Sequence, residues 1–283
     1  MSDQKESREG QPASKKRGRK IAFICFLAVF SVSTFMFLSE YIEKQKAEKS
    51  YSELRALVSR EQFEAASASA SDDKTEASEK AKGKKPTVHK QRTGMSFEAL
   101  QKINPEIIGW LRADGTNIDY PVAHTDNNDY YLTHLYNGEQ NANGTLFADY
   151  RNAGDFTDRN TVIYGHHMQS GAMFQSITEY KNQDFYDVNP VMTLFTPKGD
   201  YKIELICGTV EDGNYQFVEF NFDSDEDFID YVNGFREYST FKSDVELQPG
   251  DRIVSLCTCS YEWENARYML IGRLVPIMEE VPA

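Results

Sequence analysis

The sequence predicts a mostly β domain with helical decorations, carried behind one N-terminal helix able to cross a membrane. Three observations lead there. Between residues 118 and 276 the chain runs through seven short segments rich in Val, Ile, Leu and Tyr, separated by Gly, Asn, Asp and Pro, the composition of strands and turns. No helical pattern alternates with these segments, which argues for an antiparallel or mixed barrel and against a doubly wound sheet. Ile21 to Ser39 reads IAFICFLAVFSVSTFMFLS, without a single charge.

Composition sets the outer limits. The 283 residues allow one folded domain with appendages, or two small domains. With 40% hydrophobic and 13% aromatic residues a sizeable core is affordable only to a folded chain, so full disorder is excluded. A mean hydropathy of -0.59 excludes a polytopic membrane protein, and four cysteines exclude a disulfide scaffold. The net charge of -13 is unevenly spread: 19 Lys+Arg against 13 Asp+Glu up to residue 94, then 12 against 31 beyond it. A domain that acidic repels phosphate backbones, so no nucleic-acid partner is expected.

At about 1.5 Å per residue the uncharged run at 21–39 covers roughly 28 Å as a helix, close to the ~30 Å hydrocarbon core. A buried soluble helix of that length would rarely lack charge. A cleaved signal peptide would have a shorter apolar region ending in a small-x-small site, whereas this one ends in Phe-Leu-Ser-Glu-Tyr. An uncleaved signal anchor is the expectation. Lys15, Lys16, Arg17, Arg19 and Lys20 precede the span, and Glu40, Glu43 and Lys44 follow it. That asymmetry predicts a cytoplasmic tail at 1–20 and an extracellular remainder; beside a span, the basic run reads as a topology signal rather than a nuclear-localisation or nucleic-acid patch. Glu40 to Phe63 is made of helix formers, with Tyr51, Leu54 and Val58 on one face, and predicts a short stalk. Glu64 to Gly94 is mostly Ala, Ser, Lys and Glu, too poor in apolar surface to offset ordering, and predicts a solvated spacer. The folded domain is expected at 95–283.

Within it, SFEALQKINPEIIGWLRA reads as two short helices, with Ser96 as a cap and Pro105 opening the second. Strands follow at IDYPVA, GTLFADY, NTVIYGHH, VMTLFTPKG, YKIELICGTVED, DRIVSLCTCS and ARYMLIGRLVP. DSDEDFIDYVNGFREYS interrupts them as a helix, with Phe228, Tyr231, Val232 and Phe235 on one face and acids at its start.

The chemistry-bearing residues are few. Cys207 sits within ELICGTV and reads as core. His124 and His134 lie in a polar Asn/Asp-rich stretch and read as surface or turn residues. VIYGHHM and LCTCSYEWENARYML remain. Cys259 ends a run of alternating apolar residues, where a side chain is both held and exposed. A thiol with an ordinary pKa of about 8.5 is only a few per cent thiolate at pH 7, so a nucleophile there gains from nearby cations. Two candidates exist, a histidine of the GHH turn and Arg267, which two strands joined through SYEWEN can set beside Cys259. An arginine fork suits a peptide carbonyl or a developing oxyanion. The alternative of a zinc site built from CxC and HH departs from the usual C-x₂₋₄-C spacing. Neither metal nor cofactor is expected.

TVIYGHHM followed by SLCTCSYEWENARYMLIGR resembles the sortases, membrane-anchored cysteine transpeptidases of bacterial surfaces. Ser255-Leu256-Cys257-Thr258-Cys259 matches their TLxTC signature except for Ser at the first position. INPEIIGWLRADGTNIDYPV, DNNDYYLTH and NGTLFADYRN, with the helix at 224–238 before the last two strands, are similar to class B members. The resemblance spans about 95–276. It implies an eight-stranded sortase barrel with an N-terminal helical pair. It implies Cys259 as nucleophile, His166 as general acid/base with His167 as its neighbour or rival, and Arg267 as substrate and oxyanion stabiliser. Tyr164, Asn128, Leu132 and Cys257 would line the peptide groove. The implied reaction cleaves an LPxTG- or NPxTN-like sorting motif after Thr, through a thioester on Cys259. The implied partners are surface proteins bearing such signals and an amine acceptor on peptidoglycan or a pilin. An extracellular cysteine endopeptidase, or a non-catalytic surface-binding domain, is the alternative.

Overall fold

The computed structural model describes residues 13–72, 87–91 and 95–282. The chain divides into two compact units, Met1–Lys46 and Ala47–Ala283. In the first unit, the part of helix α1 (Ala13–Asp72) that it contains is strongly apolar, and Phe26, Val29, Phe35 and Phe37 are all exposed. Ala22–Ser59 includes a window of mean hydropathy 2.2, long and apolar enough to cross a bilayer. Residues 1–12 of the expected basic tail lie outside the described residues.

The second unit is built around a closed barrel. Its strands are β2 (Ile107–Arg112), β3 (Asp119–Ala123), β4 (Leu146–Ala148), β5 (Asn160–Tyr164), β6 (Val191–Phe195), β7 (Tyr201–Asp212), β8 (Ile253–Cys259) and β9 (Ala266–Pro276). Around the barrel the order is β2-β3-β4-β5-β8-β9-β7-β6. All neighbours are antiparallel except β3–β4 and β5–β8. The eight strands and the helix before the last two match the expected fold, because each apolar run was short and bounded by turn residues.

Alternation along the strands sorts side chains to two faces. Val254, Leu256, Tyr268 and Leu270 join Trp110, Leu194 and Ile203 in the barrel interior. Ile253, Met269, Ile271, Ile206 and Cys207 face outward into a second cluster, closed by Phe228, Val232 and Phe235 of α4 (Asp225–Arg236). That helix starts where expected: the Ser224 hydroxyl accepts the Asp227 N–H, and Asp225, Glu226 and Asp227 occupy the first turn.

Three segments differ from expectation. Helix α2 (Glu98–Ile103) forms, with Phe97 rather than Ser96 at its cap and no side-chain capping bond. The helix expected from Pro105 is instead strand β2, because Ile107, Trp110 and Leu111 are fully buried in ladders with both β3 and β6; tertiary pairing overrides the helical reading. The stalk face also has a partner. Ala47, Tyr51, Leu54 and Val58 are buried in the same core as Leu100 and Tyr120, and the Tyr51 hydroxyl donates to the Gly144 carbonyl at 2.6 Å. Of the expected spacer, residues 64–72 continue α1, and β1 (Thr87–Gln91) pairs with β10 (Met278–Pro282) as a two-stranded ribbon. Residues 73–86 and 92–94 lie outside the described residues. Helix α3 (Gln183–Val188) had no sequence signal beyond its Asn182 cap.

Candidate active site

Two strands bring the chemistry-bearing residues to one end of the barrel. Cys259 is the last residue of β8, half-buried, and its direct register partner on β9 is Arg267. Cys257, two residues earlier, points to the same outer face by alternation. On the other side of β8, the parallel strand β5 sets Tyr164 beside Cys257. Past Tyr164 the chain stays attached: the Gly165 N–H donates to the Cys257 carbonyl at 3.2 Å, and the Thr258 hydroxyl donates to the Gly165 carbonyl at 2.7 Å. A Cβ at Gly165 would stand 2.4 Å from Leu146 and 2.7 Å from Phe174, so only glycine lets β5 leave the barrel here. The next residue is His166. Imidazole, thiol and guanidinium therefore issue from adjacent strand ends, within one residue of direct backbone hydrogen bonds.

The imidazole is oriented from behind. His166 Nε2 donates to the Leu132 carbonyl at 2.7 Å; a carbonyl can only accept, so the proton is on Nε2 and Nδ1 is the nitrogen left for proton exchange. His167 is placed differently. Its Nε2 meets the Thr178 hydroxyl at 3.2 Å, its ring lies edge-on to Tyr261 at 5.1 Å, and burial lowers its basicity.

Exposure separates the cysteines. Burial pushes the Cys207 thiol up to about 12 and the Cys257 thiol up to about 12, the latter despite the opposing pull of Arg267. Both are closed off and protonated at neutral pH, poor nucleophiles on either count. Cys259 alone combines partial exposure with a facing cation. All four cysteines are free thiols.

Arg267 lies along the β7–α4 loop, with Cγ and Cζ 3.2 Å from where a Gly213 Cβ would be. Among the described residues no carboxylate forms an ion pair with it, so the fork is held by packing and by one bond to its own Ala266 carbonyl at 3.0 Å. The loop after Cys259 is clamped twice. Asn265 binds Gly213 and Asn214. Lys181 donates to the Ser260 hydroxyl at 2.7 Å and to the Glu262 carboxylate, which Ser260 also contacts. Burial opposes ionisation of Glu262, but these hydrogen bonds hold its carboxyl down to about 2.

Of the residues expected to line a groove, Tyr164 and Cys257 are register partners on β5 and β8, and Asn128 and Leu132 lie on the β3–β4 connection. Leu132 and Tyr164 pack together with Tyr131 and Phe147, and the Leu132 contribution to His166 is its carbonyl. Asn128 and Tyr164 both hydrogen-bond to Asp149, a fully buried acid that sequence reasoning passed over; an acid at the end of the apolar GTLFADY run was the available signal. His134 and His124 are both half-buried, and His134 stacks on Tyr130 at 4.1 Å. Among the described residues no group of three His, Cys, Asp or Glu is placed to hold a metal ion.

The sortase domain family matches residues 111–275, a span that holds β3 to β8, all but the last residue of β9, and Cys259, His166 and Arg267. A sortase B of Listeria monocytogenes is 36% identical over 178 residues, 62% of this chain and 72% of that protein. Sortase B of B. anthracis, solved in complex with AAEK2, is 33% identical with a TM-score of 0.60, covering 68% of this chain and 89% of that one. Sortase B of Clostridium perfringens is 33% identical with a TM-score of 0.61, covering 64% and 100%. A barrel of this strand order with thiol and guanidinium opposed on its last two strands, matched over more than half the chain, places the protein in the sortase family of cysteine transpeptidases, among its class B members.

Proposed function

We propose that the protein is a membrane-anchored transpeptidase that cleaves an LPxTG- or NPxTN-like sorting motif after its Thr and passes the acyl group to an amine of peptidoglycan or of a pilin subunit. The observation that carries this reading is the Cys259–Arg267 register pair with His166 leaving the adjacent strand end. In it, Cys259 as thiolate attacks the Thr carbonyl carbon, and the Arg267 fork receives the oxyanion. Collapse breaks the C–N bond as His166, protonated, gives its proton to the leaving amine; a thioester remains. The acceptor amine then attacks the thioester, His166 takes its proton, and the Cys259 thiolate leaves with the acyl group on the amine.

The basic flank before residue 21 supports an orientation with residues 1–20 cytoplasmic and the catalytic unit outside. The proposal is tested in the full chain in detergent micelles with peptides of both motif types: Cys259→Ala abolishes cleavage. Retained cleavage overturns it. Product analysis with an added amine separates transfer, which we expect, from plain hydrolysis.

A further inference from the structure

Asp149 follows β4 and is fully buried, yet five donors converge on its carboxylate. Oδ1 accepts the Arg151 N–H at 2.9 Å and Arg151 Nε at 2.8 Å. Oδ2 accepts Arg151 Nη2 at 2.8 Å, Asn128 Nδ2 at 3.0 Å and the Tyr164 hydroxyl at 3.0 Å. These donors come from different segments of the chain. Asn128 belongs to the β3–β4 connection, which also carries Leu132, and its Oδ1 is occupied by the Tyr150 N–H at 3.0 Å. Tyr164 ends β5 beside Cys257. Arg151 reaches the β7–α4 loop, with its guanidinium 4.2 Å over the ring of Phe220. A buried carboxylate satisfied by this many donors is a rigid node, and releasing any donor leaves a buried charge short of a partner. Its carboxyl stays below the usual carboxylate range, since the Arg151, Asn128 and Tyr164 bonds outweigh burial.

We propose that Asp149 is a positioning residue for sorting-signal recognition: one buried carboxylate from which both walls and the floor of the peptide cleft are hung. This rests on the transpeptidase reading of the cleft. Asn128, with its carbonyl end and one amide N–H already committed, then shapes the groove more than it reads the peptide. The thiol and the guanidinium are held separately, by the β8–β9 register. Loss of Asp149 therefore weakens peptide binding more than chemistry.

The test uses the full chain in detergent micelles with the sorting-motif peptide it cleaves. Asp149→Asn keeps the shape but removes the charge, and it should raise KM about tenfold with kcat within about threefold, the size expected when a charged hydrogen bond is lost. Tyr164→Phe removes one donor and should raise KM by a smaller factor. The double variant should be no worse than Asp149→Asn, because both act through one contact. An unchanged KM in both single variants, a loss confined to kcat, or additive effects in the double variant each overturn the proposal. Labelling of Cys259 by a small and a biotin-bearing methanethiosulfonate gives a second readout without turnover. In Asp149→Asn the ratio of bulky to small labelling rates should shift at least threefold as the walls slacken. If the unaltered chain cleaves neither peptide, the transpeptidase reading falls, and an unchanged labelling ratio then overturns this proposal on its own.

Discussion

His166 and Leu132, 34 residues apart, are joined by a 2.7 Å hydrogen bond from the imidazole Nε2 to a main-chain carbonyl. No side-chain substitution can remove that carbonyl, but its neighbour can displace it. Gly144 sits at φ +60°, and a Cβ there would stand 2.4 Å from the Tyr131 carbonyl oxygen and 3.0 Å from that of Leu132. Gly144→Ala should therefore lower kcat several-fold and destabilise by about 1–3 kcal/mol through backbone strain. Thermal unfolding and steady-state kinetics check both; wild-type values for the two would refute the link.

In the proposed mechanism Arg267 acts through a planar fork rather than a point charge. Arg267→Lys should cost at least about tenfold in kcat/KM, and Arg267→Ala about 10²- to 10³-fold, the range for losing an oxyanion donor. Equal activity of the lysine variant would show that charge alone suffices.

The three thiols of the catalytic unit should differ sharply in reactivity. Methanethiosulfonate should modify Cys259 in the folded chain well before Cys207 or Cys257, with the sites mapped by mass spectrometry. Cys257→Ser should retain activity within a few-fold, since the thiol there is buried and the proposed nucleophile is Cys259. Inactivity of a folded Cys257→Ser chain would reverse that assignment.

Acid should dissolve the clamp behind Cys259. The Glu262 carboxyl is held at about 2 in the fold, below its ordinary 4.5, so it adds stability that is present above about pH 4.5 and lost as pH falls toward 2. Glu262→Gln should lower the melting temperature at pH 7, and the gap to wild type should narrow steadily below pH 4.5. A gap independent of pH would place the effect elsewhere.

The strands of the barrel were legible because each apolar run is short, β-branched and bounded by turn residues, and Cys259 with Arg267 was legible because one hairpin joins them. What escaped notice depended on distance or on main-chain atoms. Ile107–Arg112 looked helical after Pro105 because nothing local announces its two ladder partners. The Leu132 carbonyl has no signature at all. Asp149 carried only a faint one, a carboxylate in an apolar run, whose meaning requires Asn128, Arg151 and Tyr164 to be seen around it. The docked face of α1 showed its spacing but not its partner, since Tyr51 meets Gly144 across 93 residues.

The parallel contact between β5 and β8 has a kinetic corollary. Tyr164 and Cys257 lie side by side, yet the chain between them must all be made before they can meet, and such remote pairing is slow to close. A polypeptide synthesised from its N-terminus holds the histidine long before the cysteine exists. On the proposed mechanism the enzyme is thus inert throughout its own biogenesis and acquires reactivity only when its final strands have been delivered and zipped in.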